Sequence, residues 1–117
     1  MLLWVAWIYA VYFMLSGIWP VLHIRSFMAV TGPKIDLWLV RTVGLLIAAV
    51  GLCIGVAGWQ QQITLPILVL AVASSGFLMV IDVVYVAKGV IARIYLLDAA
   101  VEAALIVAWL IAWSTKA

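Results

Sequence analysis

Residues Thr42–Ile81, TVGLLIAAVGLCIGVAGWQQQITLPILVLAVASSGFLMVI, carry no charge. A helix needs about 20 mostly apolar residues to cross the hydrocarbon core of a bilayer. The stretch is therefore long enough for two spans, and Trp59-Gln60-Gln61-Gln62 supplies a polar break between them. Pro66 falls in the first turn of the second span, where its missing N–H has no intrahelical partner to lose. Outward from this stretch, Leu2–Leu22 and Ile91–Trp113 are apolar runs of similar length. Four spans are predicted, roughly 2–22, 37–59, 65–87 and 91–113. Hydrocarbon offers no partner to backbone N–H and C=O groups, so each span must be a helix that satisfies its own. The predicted fold is all-α, a polytopic integral membrane four-helix bundle that forms one domain over residues 1–117.

Composition supports the same reading. The chain is 71% hydrophobic and 9% charged, against roughly 45–50% and about 25% in soluble domains. With 117 residues it could not bury that much apolar surface in water. Cys53 is the only cysteine, so a disulfide scaffold is excluded. A net charge of +2 leaves no electrostatic footprint for nucleic acid. The N-terminal run lacks a basic leader and a small-residue cleavage site, so it reads as a permanent span instead of a signal peptide. His23 stands alone and no paired-His, phosphate-loop or nucleophile motif is present, so no metal or cofactor is expected. The expected partners are the lipid bilayer and either further copies of the chain or a larger membrane complex.

The few charges orient the bundle. The 23–36 connection and the Lys88-Gly89 turn share one side, which holds Arg25, Lys34 and Lys88, with Arg41 and Arg93 just inside the adjoining helix ends. Lys116 alone marks the other side. Basic residues concentrate in cytoplasmic loops, so both termini are expected to be extracytoplasmic, with a bacterial inner membrane as the setting. Trp4, Trp7, Trp59, Trp109 and Trp113 would ring the outer interface, and Trp19 and Trp38 the inner one. In the long first connection, Thr31-Gly32-Pro33-Lys34 signals a turn and Asp36 a helix N-cap. Phe27, Met28 and Val30 are too apolar for a free loop, so this segment is expected to lie in the interface or fold back over the bundle.

Spacings of three and four residues fall on one stripe of a helix. Tyr9, Tyr12, Ser16, Trp19 and His23 follow that rule in the first span. Arg41, Gly44, Ala48, Gly51, Gly55 and Gly58 do so in the second, Ala71, Ser75, Leu78, Asp82 and Tyr85 in the third, and Tyr95, Asp98, Glu102, Leu105 and Trp109 in the fourth. The small residues of the second stripe suit close helix contact, so Arg41 at its end is expected to face protein. Ala100, Ala104 and Ala108 form another small series beside the acidic stripe.

A charge at the membrane centre costs at least about 2.5–3.5 kcal/mol, so an intramembrane ionisable residue is paired, protonated or functional. Here three acids, Asp82, Asp98 and Glu102, face one internal cation, Arg41. Arg93 projects to the opposite side of its helix from Glu102 on a 3.6-residue period, toward lipid headgroups. The surplus must be met by protons, a bound cation or another subunit. The candidate site therefore comprises Arg41, Asp82, Asp98 and Glu102, with Tyr12, Ser16, Ser75, Tyr85 and Tyr95 around them. It would take a cation, a proton or a lipophilic amine. An accessory subunit of a larger complex is the alternative, and an enzyme is the least favoured reading because no catalytic spacing accompanies the acids. Asp98 and Glu102 repel each other across one helical turn, so Glu102, the deeper, is expected to be protonated at neutral pH. Infrared spectroscopy at pH 7 should show a carboxylic acid C=O band that disappears in Glu102→Gln; a wild-type spectrum without it refutes the assignment.

Overall fold

The computed structural model describes residues 1–116 as helices α1 (Leu2–Leu22), α2 (Ile24–Thr31), α3 (Leu37–Trp59), α4 (Leu65–Ala87) and α5 (Tyr95–Thr115). Four of the five, all but α2, are long and apolar enough to cross a membrane. These four run alternately up and down, so both ends of the described chain lie at one end of the bundle. The 23–36 and 88–94 connections lie at the other, here termed the loop end.

Glycine and glutamine shape the helix junctions. At the end of α3, Gln61 adopts φ 57°. The Gln62 N–H donates to the Ala57 carbonyl at 3.0 Å, and the Gln61 N–H to Gly58 at 3.1 Å. These are the paired bonds that close a helix through a left-handed residue, and α4 follows within a few residues, carrying Pro66 in its first turn. Gly89, at φ 74°, similarly closes α4, and the Val90 N–H reaches back to the Tyr85 carbonyl at 2.9 Å. The chain then stays non-helical through Ile94, so the last helix starts at Tyr95 and not at the expected Ile91. Arg93 consequently lies in an exposed turn instead of on a helix face.

The first connection is also more ordered than a loop. Residues Ile24–Thr31 form α2, and His23, at its N-cap, accepts a hydrogen bond on Nδ1 from the Ser26 N–H at 3.2 Å. Trp19 Nε1–H donates to Ser26 Oγ at 2.8 Å, and the Trp19 and Phe27 rings meet edge-on at 5.3 Å. A short helix strapped to the end of α1 thus folds this segment back, one of the two placements expected for it. Asp36 occupies the N-cap position of α3, though its side chain makes no capping bond.

Packing is strongest within two antiparallel pairs, α1 with α3 and α4 with α5. The glycine stripe of α3 faces α1. A methyl group on Gly44 would strike the Gly17 carbonyl and sit 3.0 Å from Pro20 Cγ, and one on Gly51 would lie 2.9 Å from Phe13 Cβ. Further along, Gly55 and Gly58 oppose Ala10 and Ala6 at 3.2 and 3.3 Å by the same measure. Backbones this close gain dispersion contacts that hydrocarbon cannot replace. Arg41, one turn before Gly44, lies where α1 has already ended and the chain is turning into α2. It is exposed, which corrects the expectation that it faces protein.

The pairs join through a core at the terminal end. Val5, Ala6, Tyr9 and Phe13 of α1 pack there with Ile54 of α3, Leu68 and Ala71 of α4, and Leu105, Trp109 and Ala112 of α5. Trp109 is fully buried, its ring centroid 5.9 Å from that of Tyr9 in an edge-on contact, and so is not the interfacial residue expected from its position. Trp4 and Trp59 of the same end are exposed.

The α1–α3 seam predicts an asymmetry among glycines. Gly17→Ala and Gly44→Ala should each destabilise the detergent-solubilised protein by about 1–3 kcal/mol through overpacking. Gly76→Ala, where a methyl meets nothing within 4 Å, should be neutral or stabilising by up to about 1 kcal/mol. Thermal unfolding followed by circular dichroism checks both, and equal losses at all three positions would refute the seam.

Candidate functional site

Between the closed core and the loop end, the two helix pairs diverge around a cavity of about 510 Å³. Its wall is largely aliphatic, with Leu39, Val43 and Ile47 from α3, Leu78 and Ile81 from α4, and Ile94 and Leu97 before and on α5. Tyr12, Phe13 and Trp19 of α1, Phe27 of α2 and Tyr95 of α5 add aromatic faces. Six of the nine candidate residues line it: Tyr12, Ser16, Asp82, Tyr95, Asp98 and Glu102.

The acids converge because each sits on the inward stripe of its helix. Asp82, on α4, is 5% exposed and adjoins Asp98 of α5, with Oδ2 lacking a hydrogen-bond partner among the described residues. Tyr12 crosses from α1, and its hydroxyl donates to Asp98 Oδ1. With α5 starting at Tyr95, Asp98 lies in the first helical turn. The free N–H groups and macrodipole there favour an anion by about 0.3–1 kcal/mol. Glu102 is 0% exposed, and neither carboxyl oxygen has a partner among the described residues.

Ser75 does not reach the cavity. It is fully buried behind it, beside Glu102 and Tyr9, and its hydroxyl makes no hydrogen bond among the described residues. Tyr9 instead donates to the Ala71 carbonyl at 3.1 Å and stacks on Phe13 at 4.1 Å. A polar row thus continues from the cavity floor into the core. Tyr85 lies outside the site, exposed, with Lys88 Nζ 5.6 Å above its ring. Arg41 is absent from the cavity lining.

The cation at this cavity is one that helical spacing does not reveal. Lys34, in the turn after α2, donates from Nζ to the Thr31 carbonyl at 3.1 Å, Thr31 Oγ1 at 3.3 Å and the Gly32 carbonyl at 3.0 Å. The same nitrogen lies 5.2 Å from the Tyr95 ring centroid and 5.8 Å from that of Phe27. Carbonyl oxygens at a helix C-terminus and aromatic faces are both favourable ammonium environments. Lys34 therefore pins α2 against the start of α5 at the mouth of the cavity, leaving the acids at the floor without a hydrogen-bonded cation among the described residues.

Comparison with protein-family models, curated proteins and solved structures gives no match to this chain.

If Lys34 holds the α2 strap, Lys34→Met should loosen it. Backbone amides of residues 24–34 should then exchange with solvent deuterium roughly tenfold faster, the equivalent of about 1.4 kcal/mol. Unchanged protection by hydrogen-exchange mass spectrometry would show that the strap is held elsewhere.

Proposed function

We propose that this protein is a multi-pass membrane protein whose cavity binds a lipophilic monovalent cation, such as a protonated hydrophobic amine. The observation that carries the reading is the pairing of a roomy apolar and aromatic wall with a floor of three carboxyls to which no cation among the described residues is hydrogen-bonded. A bare or hydrated metal ion would leave the wall unused. The volume, about 510 Å³, falls among small-molecule sites, which run from about 300 to 1,000 Å³. The organic body of the ligand would lie along Leu39, Val43, Ile47, Leu78 and Ile81, and its positive centre against Asp98 and Asp82, between the faces of Tyr12 and Tyr95.

The orientation that goes with this reading places the loop end in the cytoplasm, because Arg25, Lys34, Arg41, Lys88 and Arg93 all belong to that end while Lys116 stands alone at the other. The cavity then opens toward the cytoplasmic half of the bilayer. Lining residues Leu39, Val43 and Ile81 are exposed on adjoining faces of α3 and α4, so the ligand could be taken from the lipid phase as well as from water.

A second reading, an accessory subunit in a larger membrane complex, draws support from an open small-residue face. Ala100 and Ala104 of α5 are exposed, and packing of a foreign helix there would suit their size. Native mass spectrometry of gently extracted protein separates the two, since a stoichiometric protein partner favours the accessory role.

Binding of tetraphenylphosphonium, a lipophilic cation without an ionisable proton, tests the principal reading. The protein in lipid nanodiscs should bind it, and bind neutral triphenylphosphine oxide at least about tenfold more weakly. The combined variant Asp82→Asn, Asp98→Asn, Glu102→Gln should abolish the preference. Equal affinity for cation and neutral analogue in the wild type would overturn the proposal.

A further inference from the structure

We infer that a cation occupies this cavity in exchange for a proton held by the Asp82–Asp98 pair, which makes the cavity a cation/proton exchange site. The inference rests on the cation-binding reading above and adds what leaves when the ligand arrives.

The geometry assigns the three acids different parts. Asp82 and Asp98 adjoin at the cavity surface, and two adjoining carboxyls in a dry site cannot both stay ionised without a counter-charge. One proton between or on them relieves the repulsion. Asp98 is the better anion when a cation comes, because it accepts the Tyr12 hydroxyl and sits in the first turn of α5. Glu102 has neither advantage. It is fully buried, with no partner for either oxygen among the described residues, so it remains neutral in both states.

The surroundings leave few other sources of compensation. From α1 the group facing Asp98 is Tyr12, with Tyr9 farther into the core; from α4 it is Asp82; from α5 itself they are Tyr95 and Glu102. The α3 wall, Leu39, Val40, Val43, Gly44 and Ile47, contributes no titratable group. From the α2 side the one charged residue lining the cavity is Lys34, and its ammonium is engaged by Thr31 and Gly32. The exchange is therefore a simple balance: the pair sharing one proton, net charge −1, plus one monovalent cation gives two carboxylates around that cation, again net −1, plus one proton, which leaves through the cavity mouth to water.

Tetraphenylphosphonium is the decisive probe, since any proton released on its binding comes from the protein. Titration calorimetry in buffers of different ionisation enthalpy should give a release approaching one proton per bound cation on the acidic side of the transition. Over that range the apparent affinity should tighten by up to about tenfold per unit rise in pH, because proton and cation compete for one carboxylate. Gly76→Ala, away from the cavity, should bind with the same proton release, whereas Asp98→Asn and Asp82→Asn should each lose both release and pH dependence. Binding with no proton release and a flat pH profile would overturn the exchange and leave cation binding standing. No binding at any pH would overturn both.

Discussion

The contact on which the architecture depends is the meeting of the α1 and α3 backbones along Gly17, Gly44, Gly51, Gly55 and Gly58. Helices in hydrocarbon gain little from burying apolar side chains, since lipid tails are as apolar as leucine. They hold together where their surfaces fit closely, and here the fit runs from Ala6 opposite Gly58 to Pro20 against Gly44. That seam fixes one wall of the bundle as a nearly rigid two-helix ribbon. The α4–α5 pair joins it mainly at the terminal end, through Tyr9, Ile54, Ala71 and Trp109. What remains at the other end is space, and the acids are placed there.

Polar groups in such a space carry a cost that shapes the rest of the molecule. Tyr12 reaches across from the ribbon to Asp98, and the N-terminal turn of α5 lies beneath the same carboxyl. Lys34 is drawn to the α2 carbonyls and the Tyr95 ring and not to the acids. The structure therefore keeps its nearest cation at the rim and its carboxyl groups at the floor, with an apolar wall between.

Much of this was legible in the periodicity of the chain. The four apolar runs, the Gln60–Gln62 break and Pro66 set the helices, and the three-and-four spacing brought Asp82, Asp98 and Glu102 inward together. Tyr12 and Ser16 follow from the same rule. Where the rule misplaced residues, helix ends were responsible. Arg41 belongs to the glycine stripe, but the stripe outlasts the partner helix it packs on. Tyr85 lies just beyond the point where α4 has a neighbour to face. The late start of α5 turned Arg93 into a turn residue and brought Asp98 to the first helical turn. Lys34 escaped detection because its position follows from a turn after a helix of eight residues, and no helical period extends into such a turn.

The junction at Gln61 has a mechanical meaning. Because α3 passes into α4 through one left-handed residue and two tight hydrogen bonds, the two helix pairs are joined at the terminal end like the legs of a pair of tongs. The longer 23–36 and 88–94 connections lie at the opposite tips. Opening and closing of the tips would alter the width of the cavity while leaving the core around Trp109 almost unmoved. The acids lie between hinge and tips, so a small angle there changes the separation of Asp98 from Tyr12, which belong to opposite legs.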